Sequence, residues 1–82
     1  MSEIGRELKV SDLRTGGIVV LLKPGRPAAS VRVVGVGVGW VTFKAQYKDG
    51  KEIHFLAQRC GPDNEMIRDE DMAMHIYEYL GT

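Results

Sequence analysis

Trp40-Val41-Thr42-Phe43-Lys44-Ala45-Gln46-Tyr47, then Lys48-Asp49-Gly50, then Lys51-Glu52-Ile53-His54-Phe55-Leu56-Ala57 is the stretch that decides the fold. Both flanks alternate with the two-residue period of a strand. In the first flank Val41, Phe43, Ala45 and Tyr47 take one face, and Trp40, Thr42, Lys44 and Gln46 take the other. In the second, Ile53, Phe55 and Ala57 oppose His54, Leu56 and Gln58. The faces set the register. A two-residue Asp49-Gly50 turn pairs Ala45 with His54 and mixes polar with apolar. A three-residue Lys48-Asp49-Gly50 loop pairs Tyr47 with Lys51, Ala45 with Ile53 and Phe43 with Phe55. Only this loop keeps the apolar side chains together, because a slip of one residue reverses every side chain. It also puts Gly50 where a left-handed backbone is needed.

Outward from the hairpin, Ile18 to Lys23 is a β-branched run that ends in the turn residues Pro24-Gly25-Arg26-Pro27. Ser30 to Val38 is a second, valine-rich strand. Ser11-Asp12-Leu13-Arg14 suits one helical turn capped by Ser11. Residues 1–10 show no period and read as a flexible or loosely docked segment. Cys60 to Asn64 is a loop by composition, and Glu65 to Arg68 suits a short strand. Asp69-Glu70-Asp71 supplies the acids that favour a helix start. Met72, Ile76 and Leu80 then repeat every four residues, beside Ala73 and Tyr77, so a C-terminal amphipathic helix is predicted over 69–80. The expected fold is mainly β. It is a small barrel, or a strongly bent antiparallel sheet of four to five strands, over 11–68, with the C-terminal α-helix packed on it.

Asp12-Leu13-Arg14-Thr15-Gly16-Gly17-Ile18-Val19-Val20-Leu21 and the Tyr47–Ile53 hairpin tip resemble the opening and hairpin of SH3-like small barrels. The resemblance covers residues 12–57 and picks out no individual family. It implies a binding module for peptides, proteins or nucleic acids, and it carries no functional residue across.

Eighty-two residues make one domain with a thin core. Cys60 is the single cysteine, so no internal disulfide can form, which fits a reducing, cytoplasmic setting. No signal-peptide pattern or membrane-length apolar run is present. The net charge is zero but divided: residues 1–62 hold ten Lys/Arg and five Asp/Glu, and residues 63–82 hold one and six. The body is basic and the tail acidic.

Little in the sequence points to chemistry. Gly35-Val36-Gly37-Val38-Gly39 lacks the third glycine and following helix of a dinucleotide-binding turn. Its glycines instead suit a sharp bend or a close neighbour, so a large side chain at Gly37 is expected to clash or to flatten the bend. His54, Cys60 and His75 lack zinc-site spacing, and no metal or cofactor is expected. Asp69, Glu70 and Asp71 fan around a helix and do not form an acid/base pair.

The feature that stands out is the second face of the hairpin: Trp40, Thr42, Lys44, His54, Leu56 and Gln58. Trp40 and Leu56 are large and apolar on a face that is otherwise polar. Either the C-terminal helix covers them as core, which a thin core favours, or they stay exposed and anchor a partner. The expected function is a non-enzymatic protein-binding module, a small regulator or inhibitor of a larger complex, with self-association as an option. The alternative is a nucleic-acid-binding barrel using Arg26, Arg32, Lys44, Lys48, Lys51 and Arg59, with an aromatic for stacking. An enzyme assembled across an oligomer interface ranks last.

Overall fold

The computed structural model describes residues 4–47 and 49–81. Seven strands form one antiparallel sheet: β1 Ile4–Leu8, β2 Ile18–Leu22, β3 Ala29–Val36, β4 Trp40–Gln46, β5 Glu52–Cys60, β6 Met66–Asp69 and β7 Met72–Tyr79. A 3-10 turn spans Val10–Asp12.

The hairpin has the register its faces dictate. Ala45 pairs with Ile53, Phe43 with Phe55, and Trp40 with Gln58. The Tyr47 N–H donates to the Lys51 carbonyl at 2.8 Å, and Gly50 sits at φ +87°. Lys48, the first loop residue, lies outside the described residues. Phe43 and Phe55 meet as a tilted pair with ring centroids 5.6 Å apart.

The chain closes on itself through β7. One edge of β7 pairs with β2, from Val19↔Glu78 to Leu22↔His75. Its other edge pairs with β6, from Ile67↔Met74 to Asp69↔Met72. Strands β2 to β7 therefore make a closed six-stranded barrel. Strand β1 continues the second edge, with Leu8 opposite Ile76 and Ile4 opposite Tyr79. The interior is filled by Val19, Leu21, Val31, Val33, Val41, Phe43, Ala57, Ile67, Met74 and Ile76. Val10 and Leu13, from the 3-10 turn and just after it, join the same core.

Three expectations are corrected. The first is the C-terminal helix over 69–80, which is the β6–β7 turn and strand β7. A repeat of four is also a multiple of two, so Met72, Ile76 and Leu80 fit one strand face as well as one helix face. The β-branched and aromatic content of Ile76, Tyr77 and Tyr79 favours the strand. Met74, which falls off the helical stripe, is 2% exposed in the core. Asp69, Glu70 and Asp71 lead into a tight hairpin, with Glu70 at φ +55°.

The second correction concerns the flexible N-terminal segment. Residues 4–8 are held as β1, because β7 as a strand offers an edge that a helix lacks. Residues 1–3 of that segment lie outside the described residues. With both ends of the chain in strands, the sheet has seven strands instead of four or five.

The third concerns Gly37. A Cβ there would meet only the Trp40 carbonyl, at an ordinary 3.5 Å, so the backbone makes no close approach at this glycine. The bend expected in this region falls slightly earlier, as an irregularity between Val33 and Gly35 where β3 meets β4. Close approach is required at Gly5 instead, where a Cβ would sit 2.8 Å from that of Glu78 on the neighbouring strand.

The acidic tail lies against basic residues of the body. Lys23 Nζ donates to Asp69 Oδ2 at 2.7 Å, and Arg26 shares a groove of about 600 Å³ with Glu70 and Asp71. No helix among the described residues is long and apolar enough to cross a membrane.

Candidate protein-interaction face

Trp40, Thr42 and Lys44 alternate with the core residues Val41 and Phe43, so they point out of the barrel. Their partners across β5 are Gln58, Leu56 and His54. All six hairpin residues singled out from sequence thus share one outer face, as three cross-strand pairs. Leu56 lies opposite Thr42 and diagonal to Trp40, within reach of a large aromatic. The helix expected to cover them is a strand elsewhere in the barrel wall. Trp40 is 53% exposed and Leu56 55%.

The face is set on a rigid base. Trp40 opens β4 directly after the glycine-rich turn, which Arg59 holds in place. Its Nη1 donates to the Gly37 carbonyl at 2.7 Å and its Nε to the Asn64 carbonyl at 2.9 Å. The Arg59 backbone N–H donates to the Gly39 carbonyl. Next to Trp40, Arg68 of β6 brings Nε and Nη2 within 3.1 and 3.0 Å of Gln58 Oε1 and orients that amide. Sequence reading misses Arg68, because its place follows only from the β5–β6 register.

Beside this apolar pair runs a basic row. Arg32, Lys44 and His54 are consecutive cross-strand neighbours over β3, β4 and β5. Ile18 and Tyr79 border the same row, in a cleft of about 170 Å³ shared with Arg32 and Lys44. These two residues are also missed by sequence reading, because the helical assignment removes Tyr79 from the sheet. Much of the positive charge is already engaged. Arg32 Nη1 donates to the Gly16 carbonyl at 2.6 Å, and Lys44 Nζ lies 3.6 Å from Glu52.

Of the six cations of the nucleic-acid alternative, the five among the described residues do not gather in one cluster. Arg32 and Lys44 are neighbours, whereas Arg59 is spent on backbone carbonyls and Lys51 lies 3.9 Å from Asp49. Arg26 stands across from the acidic turn, and Lys48 lies outside the described residues. Elsewhere, His75 Nδ1 meets Glu7 Oε2 at 2.8 Å, beside a cavity of about 360 Å³ where β7 passes from β6 to β1. Among the described residues no three His, Cys, Asp or Glu side chains gather as metal ligands.

The fold and this face together describe a small closed antiparallel barrel with an apolar pair on its outer wall. No family of known proteins, no curated protein and no solved structure matches the chain.

Proposed function

We propose that this chain is a non-enzymatic protein-binding module, acting as a small cytoplasmic regulator or inhibitor of a larger complex. The supporting observation is the exposed pair Trp40 and Leu56 on the outer face of β4 and β5. A tryptophan set on a rigid strand and ringed by polar groups has the make-up of an interface anchor: the apolar centre supplies affinity and the polar rim supplies orientation. Thr42, Lys44, His54 and Gln58 form that rim. The SH3-like reading of residues 12–57 agrees with a module of this kind.

Affinity capture from the source cells tests it, comparing the native chain with Trp40→Ser/Leu56→Ser. The expected result is a discrete partner recovered by the native protein and lost with the variant. Recovery of the same proteins by both contradicts the reading. The basic row Arg32, Lys44 and His54 beside Trp40 favours nucleic acid as a second reading. Salt-dependent retention on single-stranded DNA supports that one, and no retention at low salt rejects it.

A further inference from the structure

The two long edges of the β4–β5 hairpin are not alike. Backbone hydrogen bonds in an antiparallel pair alternate between one neighbour and the other. The bonds Tyr47 N–H to Lys51 carbonyl and Arg59 N–H to Gly39 carbonyl fix the phase. Residues 53, 55, 57 and 59 turn their backbone groups toward β4. Residues 52, 54, 56, 58 and 60 turn theirs away. Gln58 and Cys60 meet β6, opposite Arg68 and Met66. Strand β6 ends there, so among the described residues no strand pairs with Glu52, His54 and Leu56 on that side.

Natural sheets guard such edges with prolines, bulges or charges. Strand β1 has such a device, an irregularity between Ile4 and Glu7. Strand β5 has neither bulge nor proline: its register with β4 runs unbroken from Gln58 to Glu52, and the one charge on its free stretch is Glu52. Its core-side residue Ile53 lies where the hairpin runs out past the barrel, and is 44% exposed.

We propose that this edge pairs with the same edge of a second copy, in an antiparallel arrangement about a two-fold axis at Ile53. A second copy fits this edge because the edge is self-complementary. A two-fold contact places residue i against j and j against i. With Ile53 on the axis, Glu52 faces His54 of the second copy, and His54 faces Glu52 of the second copy. Both residues turn their backbone groups outward, so each pair exchanges both of its hydrogen bonds. Ile53 meets Ile53 of the second copy at the closer, non-hydrogen-bonded spacing. The acid meets a base, and the exposed isoleucine is covered. Register with His54 on the axis instead sets His54 against its own copy and Glu52 against Leu56, which forfeits the carboxylate–imidazole pairing. The contact joins two barrels into one continuous sheet and leaves Trp40 on the outer face. The pairing runs through the backbone edge of β5 and involves neither Trp40 nor Thr42; His54, a rim residue of the outer face, is shared by the two surfaces.

Sedimentation velocity over a micromolar-to-millimolar series tests the proposal. The native chain is expected to approach twice its 9.1 kDa mass as concentration rises. His54→Glu is expected to remain monomeric, because it sets Glu52 against a second acid. Glu52→His/His54→Glu restores the opposite pairing and is expected to restore the dimer, which no other register predicts. His54→Pro removes an outward N–H without touching the ladder to β4, and is expected to stay folded and monomeric. A change-free check is amide exchange: Glu52 and His54 should exchange fast in dilute solution and at least tenfold more slowly at high concentration. A native chain that stays monomeric throughout the series, or a double variant that fails to restore association, overturns the proposal. Trp40→Ser should dimerise like the native chain. If it does not, the two surfaces are one, and the edge assignment fails whatever becomes of partner capture.

Discussion

Trp40 and Phe43 stand three residues apart on β4 and should answer truncation in opposite ways. Phe43 is fully buried against Phe55, so Phe43→Ala leaves a cavity and should cost about 3–5 kcal/mol. The same range would apply to Trp40→Ala if a helix covered the indole. With Trp40 half exposed, the expected cost is about 0.5–1 kcal/mol, close to that of other surface changes. Urea denaturation midpoints of the two variants decide between these cases. Equal, large losses would place Trp40 in a core. Here the sequence told the truth about position and not about cover. Alternation alone puts Trp40 and Leu56 opposite Phe43 and Phe55. Whether anything lies over them depends on a segment thirty residues away.

That segment is the lesson at the scale of elements. The hairpin was legible because its two apolar faces admit one register. Strand β7 was not, because Met72, Ile76 and Leu80 satisfy both periods, and the acids at 69–71 suit a turn as well as a helix start. Residues 74 and 80 separate the alternatives. A helix buries Leu80 on its stripe and leaves Met74 outside. The strand buries Met74 and leaves Leu80 58% exposed. Met74→Ala is expected to cost about 2–5 kcal/mol, and Leu80→Ala less than about 1 kcal/mol. Thermal or urea unfolding of the pair measures this, and the reverse order would restore the helix. Strand β1 follows from β7. It was hidden in the sequence because five residues with no clear period become a strand only when a neighbour offers an unpaired edge.

For the whole molecule, closure follows from β7 carrying partners on both edges. The first strand of the barrel and the sixth meet there, so the wall has no independent half. Unfolding should be a single transition, with Trp40 emission and far-UV circular dichroism giving the same midpoint. Separate midpoints would mean that a part of the barrel, such as the acidic β6–β7 hairpin, comes away on its own. Closure also explains the charge layout that composition could not resolve. The acidic tail is two strands of the wall, and its turn faces Lys23 and Arg26, so the basic body and acidic tail partly neutralise each other in space. Exposed or partly exposed pairs of this kind each contribute little, about 0–1 kcal/mol. Their consequence is for recognition: the remaining basic row, Arg32, Lys44 and His54, lies beside the apolar pair and not on a separate basic side.

Trp40 lies open on the outer wall, with no element among the described residues above it. As the single tryptophan, it reports on this directly through its emission and its quenching by acrylamide. In the dilute native protein its emission should be red-shifted and its quenching by acrylamide well above that of a buried indole. A blue-shifted emission protected from acrylamide would contradict this, because it would put Trp40 under cover and remove the surface on which the proposed function rests.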